Sequence, residues 1–174
     1  MFKLRVPADS IDEWARRYSE FYDDSTVEEI GRVTASNGYL SRDGFLEMAR
    51  WKTPRSQPRC RQNSEAYVRE VTSAALRSHE PRFKIESLRL LDGVDWPTAS
   101  VMLHFCDRDK WPIIDYRAFW SLGQPSPAGN YSVEMWGAYT EFTRNLANQF
   151  NVSMRTLDRA LWAYSKVKQP AGGA

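Results

Sequence analysis

Leu90-Leu91-Asp92-Gly93-Val94-Asp95-Trp96-Pro97-Thr98-Ala99-Ser100-Val101-Met102-Leu103-His104-Phe105 decides the fold. Leu88, Leu90 and Leu91 close one apolar segment, and Gly93 can take a positive φ without a steric penalty. Pro97 suits the first turn of a new helix, where its missing N–H leaves nothing unpaired. Ala99, Met102, Leu103 and Phe105 then give that helix a face to bury. The stretch reads as helix, tight hairpin, helix. Beyond a short polar loop, Trp111-Pro112-Ile113-Ile114 runs into Asp115, and Ala118, Phe119 and Leu122 resume helical spacing. Asp115 therefore opens a helix, with apolar residues before it and aromatic ones around it.

Outward from this stretch the signals stay helical. Ser10 with Glu13 makes a capping-box pattern for a helix over 10–22, with Ile11, Trp14, Tyr18 and Phe21 on one stripe. Ser25 with Glu28 opens a second helix, closed by Asn37-Gly38. Ser41 caps a third, carrying Phe45, Leu46, Met48 and Ala49, and Pro54 stops it by disfavouring helix at Thr53. The segment from Ser56 to Arg61 reads as an irregular basic loop. Asn63 caps a helix reaching Ser78, and Pro81 separates it from Phe83, Ile85 and Leu88. After a Pro/Gly/Ser linker at 124–130, Val133, Trp136, Tyr139, Phe142, Leu146 and Phe150 line a long helix. Ser153 caps the last one, and 169–174 reads as a flexible tail. No run alternates apolar and polar residues as a half-buried strand does. The expectation is an all-α fold of eight to ten helices.

The 174 residues carry a net charge of only +2, which excludes a general cationic field. Charge is nonetheless uneven. Residues 1–31 hold eight acidic against four basic side chains, while 50–61 hold Arg50, Lys52, Arg55, Arg59 and Arg61 with no acid. Such a local stripe fits either a polyanion on one face or a solvated helix surface. Two cysteines, Cys60 and Cys106, exclude a disulfide framework and a four-thiolate cluster. With His79 and His104 at no ligand spacing, neither a metal nor a cofactor is expected. No apolar run is long enough for a signal peptide or a membrane span, so the expected setting is cytoplasmic (on the nucleoid, in a bacterium), without membrane contact and as a monomer.

Leu91-x-Gly93-Val94-x-x-x-Thr98-Ala99, followed sixteen residues after Ala99 by the aspartate of an Ile114-Asp115 pair opening a helix, resembles the helix-hairpin-helix DNA glycosylases. The resemblance covers residues 88–123. Two departures are visible: Asp95 replaces the hairpin's second glycine, and Pro97 stands where bifunctional members carry a lysine. The resemblance implies two helical lobes, one from roughly 1–40 plus 124–168 and the other from roughly 41–123, with the hairpin and Asp115 at the cleft between them. It implies base-excision repair: a damaged or modified base is flipped out of double-stranded DNA and its N-glycosidic bond hydrolysed. Asp115 would be the catalytic carboxylate.

In that reading the hairpin grips backbone phosphate through Gly93, Val94, Asp95, Trp96 and Thr98, joined by Arg55 and Arg59. Trp51, Lys52, Trp111 and Tyr116 are candidates for the base pocket or for filling the vacated stack. Pro97 removes the matched amine, so the enzyme would use water and leave the strand uncut; Lys52, or Lys84, is the alternative amine. Each residue also has a plainer reading. Asp115 serves equally as a helix N-cap, Trp51 and Trp96 as packing, and His104 as a core histidine. Arg117 would pair with Asp107 or Asp109, or hold a phosphate. The alternatives for the whole chain are a non-catalytic helix-hairpin-helix DNA-binding module and a helical protein-interaction domain.

Overall fold

The computed structural model describes residues 2–107, 111–127 and 129–170. Among them are ten α-helices and no strand: α1 (Ile11–Arg17), α2 (Ser25–Asn37), α3 (Arg42–Lys52), α4 (Gln57–Cys60), α5 (Glu65–Arg77), α6 (Pro81–Leu88), α7 (Trp96–Cys106), α8 (Tyr116–Ser121), α9 (Val133–Phe150) and α10 (Met154–Lys168). The all-α expectation holds. No helix among the described residues is long and apolar enough to cross a membrane.

The chain divides into two compact units, one of residues 1–23 and 112–174, the other of 24–111. This differs from the division drawn from sequence. Residues 24–40, with α2, belong to the second unit, and 112–123, with Asp115, belong to the first. The helices on either side of 124–130, α8 and α9, belong to the same unit, so no boundary between units falls there.

In the unit built from both chain ends, α10 packs against α1, α8 and α9. Trp14, Trp136, Tyr139, Leu157 and Leu161 are buried there. The Trp14 ring meets Tyr164 edge-on at 5.1 Å, and Phe119 stacks on Tyr139 at 4.8 Å. The N-terminal segment is tied to the end of α8 by Lys3 N–H to Leu122 O and Arg5 N–H to Ser121 O, both 2.8 Å. Ser10 does not cap α1 with its side chain; its hydroxyl donates to Pro7 O at 2.9 Å instead. The first helical stretch is also broken, with 3-10 turns at Ala8–Ser10 and Tyr18–Glu20 flanking α1. Of the expected tail, Gln169 accepts a bond from Ser165 Oγ, and 171–174 lie outside the described residues.

The second unit is wrapped around α7. Ten of its eleven residues are buried, because α2, α3 and α6 all pack on it. A helix apolar on every side is the centre of its unit, so the buried face expected from sequence extends around the whole circumference. Gly31 of α2 lies so close to the Phe105 carbonyl that no side chain fits there. Ser41 and Ser153 cap α3 and α10 as expected, accepting from Gly44 N–H at 3.2 Å and Thr156 N–H at 3.0 Å. Gly38 closes α2 at φ +76°. The Ser25 expectation needs correction by one residue, since Asp24 is the N-cap position and Ser25 is already helical. Asn63 likewise yields its capping place to Ser64, whose hydroxyl accepts from Tyr67 N–H at 3.2 Å.

Candidate functional site

The hairpin forms between α6 and α7, with Gly93 at φ +81°. Its geometry is set by the segment that precedes α5. Residues 54–60 are ordered as a 3-10 turn, Pro54–Ser56, running into α4, where the sequence reading had an irregular loop. A Cβ on Gly93 would stand 2.6 Å from Cys60 Sγ and 2.9 Å from Cys60 N. Asn63 is buried; its Nδ2 donates to Cys60 O and Asp92 O, and its Oδ1 accepts from Asp92 N–H. Arg42 adds bonds to the carbonyls of Arg61 and Asn63, each 2.8 Å. The basic segment and the hairpin are thus one piece, with Arg55 and Arg59 exposed on it.

Several residues expected at the DNA backbone are instead interior. Val94, Trp96 and Thr98 are buried, so their side chains pack rather than reach a phosphate. Val94 N–H is spent on Leu91 O and Trp96 N–H on Asp95 Oδ1. Asp95 therefore works as the N-cap of α7, and Arg89 bonds the same oxygen at 3.3 Å while lying over the Trp96 ring. Asp95 thus supplies the helix start and carries its own counter-charge.

Asp115 stands in the other unit. Ile113 and Ile114 before it are buried, and Tyr139 donates to Ile113 O at 2.9 Å. Buried apolar neighbours and this bond hold the chain extended up to Asp115 (φ −146°, ψ 137°). Its Oδ1 then accepts from Arg117 N–H at 2.9 Å, making it the N-cap of α8. The residue is half-buried. Its negative charge is felt at Tyr139, whose phenol is held well above its ordinary range by burial first, then by Asp158 and Asp115. Arg117 lies over the rings of Tyr116 and Trp162, at 4.9 and 5.2 Å, and Tyr116 is exposed. A half-exposed carboxylate at a helix start, with one oxygen held by the Arg117 main-chain N–H, can stabilise a developing positive charge or orient a water.

The remaining candidates divide. Trp51 is half-buried and meets Phe105 edge-on at 5.8 Å, and Lys52, half-buried, ends α3. Both belong to the unit of the hairpin. Trp111 is buried, with its indole N–H donated to Asp107 Oδ2 at 3.0 Å; it is a core residue rather than a pocket wall. Asp107 pairs with Lys84, Nζ to Oδ2 2.6 Å, and not with Arg117, while Asp109 lies outside the described residues. Lys84 is thereby committed to the interior and is no candidate nucleophile. His104 is a core histidine, donating from Nδ1 to Trp111 O at 2.6 Å.

The Asn63–Asp92 and Lys84–Asp107 pairings have no local signature in the sequence, because each partner lies a whole helix or more away along the chain. No three His, Cys, Asp or Glu side chains converge as a metal site among the described residues. No family model, curated protein or solved structure matches the chain.

Proposed function

We propose that the chain is a monofunctional DNA glycosylase that hydrolyses the N-glycosidic bond of a damaged or modified base. The observation that carries the reading is Asp115: a half-buried carboxylate at the start of α8, fixed by buried Ile113-Ile114 behind it and by the Arg117 N–H in front. In the reaction the base departs with the bonding pair, positive charge grows at the sugar carbon, and a water oxygen bonds to that carbon. Asp115 stabilises the charge and takes the water's proton. The flipped nucleotide is a prerequisite, since the bond is inaccessible inside a stacked duplex. Exposed Arg55 and Arg59 contact phosphate, together with main chain at Gly93. No lysine stands at the hairpin, which supports water as the nucleophile.

The second reading, a DNA-binding module without base release, is favoured by the cap bond itself, a sufficient structural role for Asp115. One experiment separates the two. Duplexes carrying uracil, 8-oxoguanine, hypoxanthine or methylated bases are incubated with wild type and Asp115→Asn, with and without alkali. Asparagine caps a helix as well as aspartate, so the variant keeps the fold. Base release by wild type, strand cleavage only after alkali and loss in the variant are expected. Salt-dependent DNA binding with no release from any duplex gives the second reading. Absence of both favours the protein-interaction reading over the two DNA readings.

A further inference from the structure

Exposed aromatic rings gather on one face of the unit built from both chain ends. Phe21, Tyr22 and Tyr116 are 37%, 46% and 38% exposed, where single large rings usually turn inward. Half-buried Trp162 of α10 meets Tyr22 edge-on at 5.0 Å and Phe21 at 5.9 Å. Arg117 lies over both Trp162 and Tyr116. A line of rings and cation thus runs Tyr22, Trp162, Arg117, Tyr116, from the segment after α1 across α10 to the start of α8. An exposed aromatic patch of this kind marks a contact surface.

The charges along the line say what it contacts. Arg155, Arg159, Trp162 and Lys166 recur at helical spacing on one face of α10. Arg155 is spent on the buried Asp158, Glu20 is drawn to Arg17 at 3.6 Å, and Asp23 is not free either. Arg117 and Lys166 are different: neither side chain has an ion pair or hydrogen bond among the described residues. The rings cover the flat faces of the Arg117 guanidinium and leave its N–H edge unspent. Exposed rings interleaved with unpaired cations match a polyanion that presents rings of its own, which is an unpaired nucleic-acid strand. A duplex keeps its base faces covered.

We propose that this face binds single-stranded DNA, with bases stacked on Tyr22, Trp162 and Tyr116 and phosphates held by Arg117 and Lys166. The choice of DNA rests on the reading of Asp115 given above; the stacking and the phosphate contacts do not.

The test is fluorescence anisotropy of a labelled oligothymidylate with the full chain, beside an abasic backbone and an oligouridylate of equal length, across potassium chloride concentrations. Oligothymidylate is expected to bind at least tenfold tighter than the abasic backbone. Tyr22→Ala and Tyr116→Ala, which remove exposed rings, are each expected to weaken it about fivefold or more. Phe83→Ala, an exposed ring of the other unit, is the unchanged control. Lys166→Gln is expected to lower the slope of log affinity against log salt by about 0.7. Equal affinity for the abasic backbone, or affinity unchanged in both tyrosine variants, overturns the proposal, and tighter binding of oligouridylate overturns the choice of DNA. Self-association of the chain that Tyr22→Ala abolishes, without oligonucleotide binding, gives the face to a second copy and overturns it too. Asp115→Asn is expected to retain the binding, so absent base release sinks the catalytic reading and leaves this one standing.

Discussion

Asn63 holds Asp92 by both of its main-chain groups, Nδ2 donating to the carbonyl at 3.0 Å and Oδ1 accepting from the N–H at 2.9 Å. An asparagine side chain paired in this way substitutes for a second strand of backbone, and it fixes the residue immediately before the hairpin glycine. Asn63→Ala removes these bonds and a third to Cys60 O, leaving the part-buried main-chain groups of Asp92 without their partners, while Cys60 O keeps the main-chain N–H of residue 63. The expected cost is about 2–4 kcal/mol, read from urea denaturation. Ser64→Ala, which loses only the cap of α5, is expected to cost about 1 kcal/mol.

Gly93→Ala meets two obstacles. Its φ of +81° disfavours a side chain, and the new Cβ collides with Cys60. The combined cost is expected at about 3 kcal/mol or more. The double variant Gly93→Ala/Cys60→Ala recovers only part of it, because the Cys60 backbone nitrogen stays 2.9 Å from the Cβ position. Full recovery in the double variant contradicts this account.

The Lys84–Asp107 pair is predicted to be costly to break and cheaper to replace. Lys84→Met alone leaves a buried carboxylate without its cation, with an expected loss of about 3–5 kcal/mol. Asp107→Leu alone strands the ammonium similarly. Together they should lose much less than the sum, the remainder including the Trp111 N–H left without its acceptor. A double-mutant cycle on denaturation free energies measures the difference; additive losses argue against a coupled pair.

Tyr139 makes stability fall at alkaline pH. Its phenol is raised above the ordinary value in the folded protein, so above about pH 10 the unfolded chain releases a proton that the folded chain retains. The contribution is complete below the unfolded value and disappears as pH rises toward the folded one. Over that window this residue lowers unfolding free energy by about 1.4 kcal/mol per pH unit. Tyr139→Phe is expected to be less stable at pH 7, having lost its bond to Ile113 O, yet to show a shallower alkaline decline. An unchanged decline assigns the effect to another group.

Local chemistry sufficed for much of this protein. Helical periodicity, the serines that cap α3 and α10, the glycine that ends α2, the positive φ at Gly93 and the helix start at Asp115 each depend on residues within a turn or two. Such signals survive in sequence because their partners are adjacent. Asn63 has the right chemistry to cap, but Asp92, 29 residues away, takes its side chain; Ser10 turns its hydroxyl back to Pro7 O, a competing acceptor three residues before it.

The tertiary structure alone decided which apolar residues are interior on all sides. Val94, Trp96, Thr98 and Trp111 look available in a motif, but all four are buried, Trp96 and Thr98 on the enclosed α7 and Val94 and Trp111 on either side of it. It decided that α2 joins the hairpin's unit and Asp115 the other. It also decided that Lys84 answers Asp107. Sequence determines where helices begin, turn and end through bonds spanning a few residues; which surfaces meet is set by burial across the returning chain, where no local pattern records the partner.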